Sequence, residues 1–325
     1  MAGPVAGAML RYLAVRLAAT VPVLLGISIV LFTMVRLIPG DPSHAILLSM
    51  VEPGADISRL EEDLATLRQD LGLDRPYPVQ YADWLGDVLS GNLGTSLRSG
   101  APVTDELAMR LPATLELAAA ALVVMVVVAV PAGIAGAVWH GRAADRVARL
   151  LTLLGVSVPG FLLGLLLMYA FSVALGWLPT YGRGTPAHLV LPAVTLGLGL
   201  AAAVSRLLRA GLLDALSQPY VAAAEAKGLP WRLIVLRHAL RNALLPVFTN
   251  AGLIVSGLLG GAVVVETVFS WPGIGRYVVD SITGRDYPVI QAFTLAMALA
   301  YVLVNLVVDL GYRLIDPRVR VEGAA

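Results

Sequence analysis

The sequence predicts an all-α polytopic membrane protein of six transmembrane helices, with an extracytoplasmic insert after helix 1 and a long cytosolic loop between helices 4 and 5. Three observations carry this. Hydrophobic residues make up 58% and charged residues only 14% of the 325 residues, with a mean hydropathy of +0.81, well to the apolar side of soluble domains. Six stretches approach or exceed the length of about 20 apolar residues that a spanning helix needs: roughly residues 17–36, 113–138, 149–175, 187–208, 244–268 and 289–311. The basic residues are also distributed unevenly between alternate connections, as the positive-inside bias requires. Short segments of strict two-residue alternation, the mark of a membrane β-barrel, are not seen, so helices that satisfy their own backbone are the expected spans.

The first window follows Arg11 and Arg16, as in a signal peptide, but its apolar run is long and leads into Pro39-Gly-Asp-Pro. Residues 1–37 are therefore expected to hold an uncleaved signal anchor that serves as the first transmembrane helix. From 38 to 110 the chain turns polar and carries Glu52, Asp56, Glu61, Glu62, Asp63, Asp70, Asp74, Asp83 and Asp87. Ile57, Leu60, Leu64, Leu67 and Leu71 recur at helical spacing, and residues 77–89 predict a second short helix around Tyr81, Trp84, Leu85 and Val88. The insert is expected to be folded, either as a cap over the helix ends or as a landing surface for a soluble partner.

Residues 111–325 hold the other five windows. Pro131, the pair Pro159-Gly160 and Pro192 predict kinks or unwound turns, and Gly160, Gly164, Gly257, Gly260 and Gly261 permit close backbone approach. Glu116, Glu266 and Asp309 lie at or inside apolar windows, with Asn305 one helical turn before the last. A charge at membrane depth costs a few kcal/mol, so each should face the bundle, an aqueous cavity or an interface. Glu116 and Glu266 are placed near the outer boundary and Asp309 near the inner one, with a structural ion pair or boundary position favoured over ligand binding for each.

With the N-terminus inside, the inner segments hold Arg11, Arg16, Arg142, Arg146, Arg149, Arg206, Arg209, Lys227, Arg232, Arg237, Arg241, Arg313, Arg318 and Arg320. The two short outer loops hold Arg183, Arg276 and Arg285. Both termini are thus expected to be cytosolic. Lys227 is the only lysine, which genome composition accounts for. The absence of cysteine excludes disulfides and Cys metal clusters and leaves the redox compartment open.

The loop 206–243 is the most informative segment. Ser217 and Pro219 predict a helix start, and Gly228 with Pro230 a stop. So short a helix, about nine residues, is marginal alone in water and should need packing. Ala222, Ala223, Ala224 and Ala226 present little bulk, so the groove of another protein can close around them. A second helical stretch, 231–241, is expected to present Trp231, Ile234 and Val235 as an apolar patch. Beside it lie Arg232, Arg237 and Arg241, which suit lipid phosphates or an acidic partner.

At these residues the chain resembles a family. Ala223-Ala224-x-x-x-Gly228, in the last large cytosolic loop, resembles the EAA loop of ABC-importer permeases. The leading Glu of that pattern is Ala222 here, and the later Ile-x-Leu-Pro reads His238-Ala-Leu-Arg241. Both departures match the dipeptide/oligopeptide/nickel branch, as do Tyr220-Val-Ala-Ala-Ala-Glu-Ala-Lys-Gly and His238-Ala-Leu-Arg-Asn followed by Pro246. The resemblance extends through Pro39-Gly-Asp-Pro, Gly91-Asn-Leu-Gly, Arg110-Leu-Pro-Ala-Thr-Leu-Glu-Leu, Glu266-Thr-Val-Phe-Ser-Trp-Pro-Gly-Ile-Gly-Arg, Arg285-Asp-Tyr-Pro, Asn305-Leu-Val-Val-Asp and Asp316-Pro-Arg. The long insert is similar to that of the first of the two permease subunits, the dipeptide-permease B type.

The resemblance implies a subunit forming half of the transmembrane pathway of an importer in a prokaryotic inner membrane. Its implied partners are a second homologous permease, two ABC ATPases, an extracytoplasmic substrate-binding protein and the lipid bilayer, with no nucleic acid. It implies ATPase coupling through Tyr220, Ala223, Ala224, Glu225, Lys227, Gly228, Arg232, His238 and Arg241. The chain itself is expected to be no enzyme and to hold no cofactor or metal: it has no Gly-x-x-x-x-Gly-Lys-Ser/Thr phosphate loop. A membrane-embedded hydrolase is disfavoured because His44, His140, His188 and His238 are scattered without His-Glu-x-x-His spacing. A proton-coupled secondary transporter, the other alternative, would favour acids near the midplane and paired inverted repeats. Within the family, dipeptides or oligopeptides are preferred over nickel chelates, whose path would benefit from clustered histidines, and over sugars.

Overall fold

A computed structural model describes residues 4–37 and 74–315; within these helices the side chains of residues 4–14, 17, 36, 144, 148, 151, 153, 154, 156 and 309–315 lie outside the description. The expectations for Pro39-Gly-Asp-Pro, the leucine repeat 57–71, the side chain of Asp309 and Asp316-Pro-Arg therefore fall outside the described residues. Among those described, the fold is helical and has no strand, only an isolated bridge between Thr95 and Pro102. The long elements are α1 (Pro4–Leu37), α2 (Tyr77–Leu89), α3 (Val103–Val138), α4 (Ala143–Ser157), α5 (Gly160–Met168), α6 (Pro186–Leu216), α7 (Pro219–Ala226), α8 (Ala251–Val268), α9 (Ile274–Thr283) and α10 (Tyr287–Ile315). Short helical pieces connect Trp231 to Thr249.

Five of the described helices, α1, α3, α6, α8 and α10, are long and apolar enough to cross a membrane. The window 149–175 is not one helix. It breaks between α4 and α5, where Pro159 lacks an N–H and restricts the residue before it. Past that break α5 runs on as a π-helical turn, Tyr169–Ala174, and Gly160–Ala174 forms a shorter apolar helix. Pro131 and Pro192, expected to disturb their helices, lie inside the continuous runs of α3 and α6. The window 244–268 is interrupted at Asn250, whose side-chain amide donates to the Pro246 carbonyl at 2.9 Å.

The chain divides into two compact units, Met1–Arg110 with Tyr277–Val302 and Leu111–Arg276 with Leu303–Ala325. In the first, α2 forms over the predicted residues and its aromatic face encloses Phe32 of α1. The ring centroids of Tyr77, Tyr81 and Trp84 lie 5.4, 5.5 and 5.4 Å from that of Phe32, distances typical of aromatic pairs. Two hydroxyl pairs fix the register: Tyr77 donates to Thr33 at 2.8 Å, and Ser28 and Tyr81 share a bond of 2.7 Å. Val21, Ile29, Val30 and Met34 of α1 are exposed, as suits a helix facing lipid.

The second unit is built round α6, which carries small residues where its neighbours approach. Its core joins Leu117 and Ala121 of α3, Leu191 and Leu196 of α6, and Leu258, Ala262 and Val265 of α8 with Phe269 and Trp271. A Cβ on Gly197 would lie 2.7 Å from the Ala121 carbonyl, and one on Gly211 2.8 Å from that of Ala243. Such close helix contacts depend on small residues. Of the glycines singled out above, Gly164 and Gly261 are in tight contact, whereas Gly160 and Gly260 have nothing within 4 Å.

Candidate functional site

α7 begins and ends as its sequence demands. Pro219 occupies the first turn, where its missing N–H leaves no bond unmade, after Gln218 in an extended conformation. At the other end Gly228 adopts φ +76°, a left-handed conformation that glycine takes without penalty. Its N–H donates to the Glu225 carbonyl at 2.8 Å and that of Leu229 to Ala224 at 3.2 Å, closing the helix in the manner of a left-handed C-cap.

One face of α7 is fastened to its own loop. Val221 and Ala224 are buried against Ile234, with Leu229 alongside. Ala222, Ala223, Glu225, Ala226, Lys227 and Gly228 face outward, and Tyr220 is exposed while its hydroxyl accepts from the Asn242 amide at 3.1 Å. Ala224 is thus the one residue of the expected contact set that turns inward. Arg232, His238 and Arg241 are exposed on the second stretch, as is Arg237. Among the described residues, Glu225, Lys227, Arg232 and Arg241 enter no ion pair.

That second stretch differs from expectation in one respect. Trp231 is exposed, but Ile234 and Val235 are buried rather than presented. Ile234 completes the core under α7, and Val235 packs with Ala239 and Ala243 against Ala137, Leu208, Leu212 and Ala215. An amphipathic segment buries its apolar stripe where it can; here the long helix α6 supplies the partner. A π-helical turn, Ile234–Ala239, carries both residues.

Beside the loop lies a charged cluster that the sequence reading missed. The Asp145 carboxylate has no exposed surface and accepts from Arg209 Nε at 2.9 Å, Arg209 Nη2 at 3.1 Å and the Gly141 N–H at 3.0 Å. Arg149 lies 3.3 Å and His140 3.4 Å away, and His140 Nδ1 accepts from Arg209 Nη2 at 3.0 Å. The bond from Arg209 above all, against an opposing desolvation, and the Gly141 N–H hold the Asp145 pKa down to about 2. Gly136 allows Arg209 to reach: a Cβ there would lie 2.9 Å from its Cδ. The available signal was the acid in the first turn of α4 after a His-Gly turn, but its partner is 64 residues away.

The acids noted in the sequence resolve differently. Glu116 is half-exposed and pairs with Arg183, at 2.8 Å from Nε and 2.5 Å from Nη2. Glu266 is fully buried, and its described partners are all neutral donors: the Thr114 hydroxyl at 2.6 Å and the N–H groups of Gly275 at 2.7 Å and Arg276 at 3.0 Å. Thr114 also accepts from the Ile274 N–H at 2.9 Å, and the Trp271 indole donates to the Ala113 carbonyl at 2.8 Å. Glu266 thus binds the first turn of α9, where a negative group is favoured. A Cβ on Gly273 would fall on its carboxylate.

The comparisons with known proteins agree with one another. Residues 129–321 match the family of binding-protein-dependent transport system inner membrane components, and residues 9–118 match the N-terminal part of such membrane components. The chain is 45% identical over 312 residues to the glutathione transport system permease protein GsiC of Salmonella typhi, covering 96% of this chain and 99% of that protein. GsiC of Escherichia coli strain K12 is 44% identical with the same coverage. Among solved structures, the inward-facing MetNI methionine ABC transporter is similar with a TM-score of 0.56 at 20% identity, covering 65% of this chain and 96% of the other, a likeness of fold. The chain therefore belongs to the binding-protein-dependent transport system inner membrane components and is a permease subunit of an ABC importer.

Proposed function

We propose that this chain forms half of the membrane pathway of an importer for short peptides and that energy enters through α7. The observation that carries the coupling role is the two-faced build of that helix. Val221 and Ala224 fasten it to the loop core, while Ala222, Ala223 and Ala226 leave a smooth outer face. On this reading a cytosolic ATPase clasps α7, with Tyr220, Ala223, Glu225, Lys227, Gly228, Arg232, His238 and Arg241 at the contact and Ala224 anchoring it from within. Closure of the ATPase pair moves α7 with α6, to which the loop core is packed. The ATPase must bind the loop differently in its two states, since equal contacts shift nothing.

The complete importer then comprises this chain, a second homologous permease, two ATPases and an extracytoplasmic binding protein. Residues 1–37 supply the first transmembrane helix and 111–325 the rest of the transmembrane domain, with Gly160–Ala174 as the remaining crossing, the loop 206–243 and both termini in the cytosol and 38–110 outside. Relatives described as glutathione permeases support a peptide cargo, glutathione being a tripeptide. Uptake of labelled dipeptides and oligopeptides by cells expressing the complete importer tests both halves. Gly228→Asp should leave the protein in the membrane and abolish uptake; survival of uptake at normal expression would remove α7 from the coupling role. Failure of every unlabelled peptide to compete would refute the cargo.

A further inference from the structure

Within the unit formed by Met1–Arg110 and Tyr277–Val302, the turn 95–102, the start of α3 and the residues from Tyr277 to Asp286 enclose a cleft of about 320 Å³ lined by polar and charged side chains. One wall is rigid and saturated. Ser96, 2% exposed, donates to Asp286 Oδ2 at 2.5 Å and accepts from the N–H groups of Arg98 and Ser99, while the Leu97 N–H donates to Asp286 Oδ1 at 3.1 Å. In the cleft the Tyr277 hydroxyl is buried and has no hydrogen-bond partner among the described residues. Ser96 beside it donates to Asp286 and already accepts from two N–H groups, so neither of its lone pairs is left for the Tyr277 O–H. Burial first, against the nearby Ser96 hydroxyl and Arg110 and with the carboxylates of Glu106 and Asp286, raises the Tyr277 pKa, so the group is an O–H donor. Arg110 is held by Glu106 and stacks 4.2 Å above the Tyr277 ring. At the rim stand Asp280 and the exposed Arg98, which enters no ion pair among the described residues.

An unmatched buried donor invites an acceptor. A cleft of this size holds a small ligand, and its lining offers both signs of charge. We propose that it binds a small zwitterion with free α-carboxylate and α-ammonium groups, a dipeptide or amino acid, its carboxylate on Tyr277 and Arg98 and its ammonium on Asp280. As a cargo subsite the cleft rests on the peptide reading above; as a zwitterion site it stands apart from it.

The test is direct binding to the complete transporter in nanodiscs without binding protein, using labelled L-alanyl-L-alanine, its C-terminal amide and its N-acetyl derivative. The free dipeptide should bind, each blocked form at least about tenfold more weakly, and Tyr277→Phe and Arg98→Ala should each weaken the dipeptide by about tenfold, the scale of a hydrogen bond to a charged group. Absence of binding, or equal binding of all three probes, would overturn the proposal. Tyr277→Phe should also melt no lower than wild type, because the hydroxyl it deletes is unmatched; a lower midpoint would show that hydroxyl already bonded and would sink the idea as well. Peptide uptake that persists while no probe binds defeats the cleft alone. Tyr277-dependent dipeptide binding without any peptide uptake defeats the cargo reading alone.

Discussion

A carboxylate buried in an apolar helix is tolerable only if its neighbours replace water, and around Glu266 they do so with neutral donors. Thr114 is the pivot, donating to Glu266 and accepting from Ile274. Thr114→Val deletes both bonds at once and leaves two buried groups short, which should cost about 2–4 kcal/mol, whereas Thr114→Ser keeps the hydroxyl and should stay within about 1 kcal/mol. Thermal unfolding of the two variants in the same detergent checks this; equal midpoints would mean that Thr114 is not the pivot. At Gly228 the residue scale separates backbone from charge. Asparagine and aspartate both tolerate a positive φ, so Gly228→Asn should retain uptake while Gly228→Asp abolishes it. Loss of uptake in both would point to the turn itself rather than to the charge.

At the scale of elements, the Asp145 to Arg209 pair ties the start of α4 to α6, the helix that leads into α7. Arg209→Ala removes a bidentate partner from this carboxylate and should lower the unfolding midpoint, with Arg149 and His140 beside it offsetting part of the loss. Since the folded pKa of Asp145 is depressed from 3.8 to about 2, the pair's contribution is complete above the unfolded value and is lost as pH falls through the folded one. The difference in unfolding midpoint between wild type and Asp145→Asn should therefore stay constant from pH 5 to 8, narrow below about pH 4 and close near pH 2. A gap that varied across neutral pH would assign the linkage to another group. For α7 itself, Ala223→Trp adds bulk only to the outward face, so it should stop uptake with the unfolding midpoint unchanged, while Val221→Asp should unfold the loop. The extents of α2 and α7 were legible because aromatic spacing, Pro219 and Gly228 act within a few residues. The break between α4 and α5 was only half legible: Pro159 announces it, but whether an apolar run continues past a proline is decided by what packs on either side, as α3 and α6 show. The pairings of Asp145 with Arg209, Glu266 with Thr114 and Asp286 with Ser96 were not legible, because each joins chain that is distant in sequence, and one sequence carries no signal of such pairing.

The distribution of charge makes the whole molecule's orientation testable. Loop 206–243 and the stretch 142–149, with Arg142, Arg146 and Arg149, concentrate arginine, while the turn 95–102 and the connection before α6 carry one each, and short segments rich in Lys and Arg stay on the cytosolic side. The chain contains no cysteine, so any thiol introduced is the only one it bears. Ser99 and Ser217 are both exposed and lie in segments assigned to opposite sides. A membrane-impermeant maleimide added to intact spheroplasts should label Ser99→Cys and leave Ser217→Cys untouched until the membrane is opened. The reverse pattern would invert the topology and carry α7 away from any cytosolic ATPase, so this one experiment constrains the orientation and the coupling proposal together. Labelling of both from outside would mean that the number of crossings between them is even, and Gly160–Ala174, the shortest apolar helix, would then be the first to lose its place as a span.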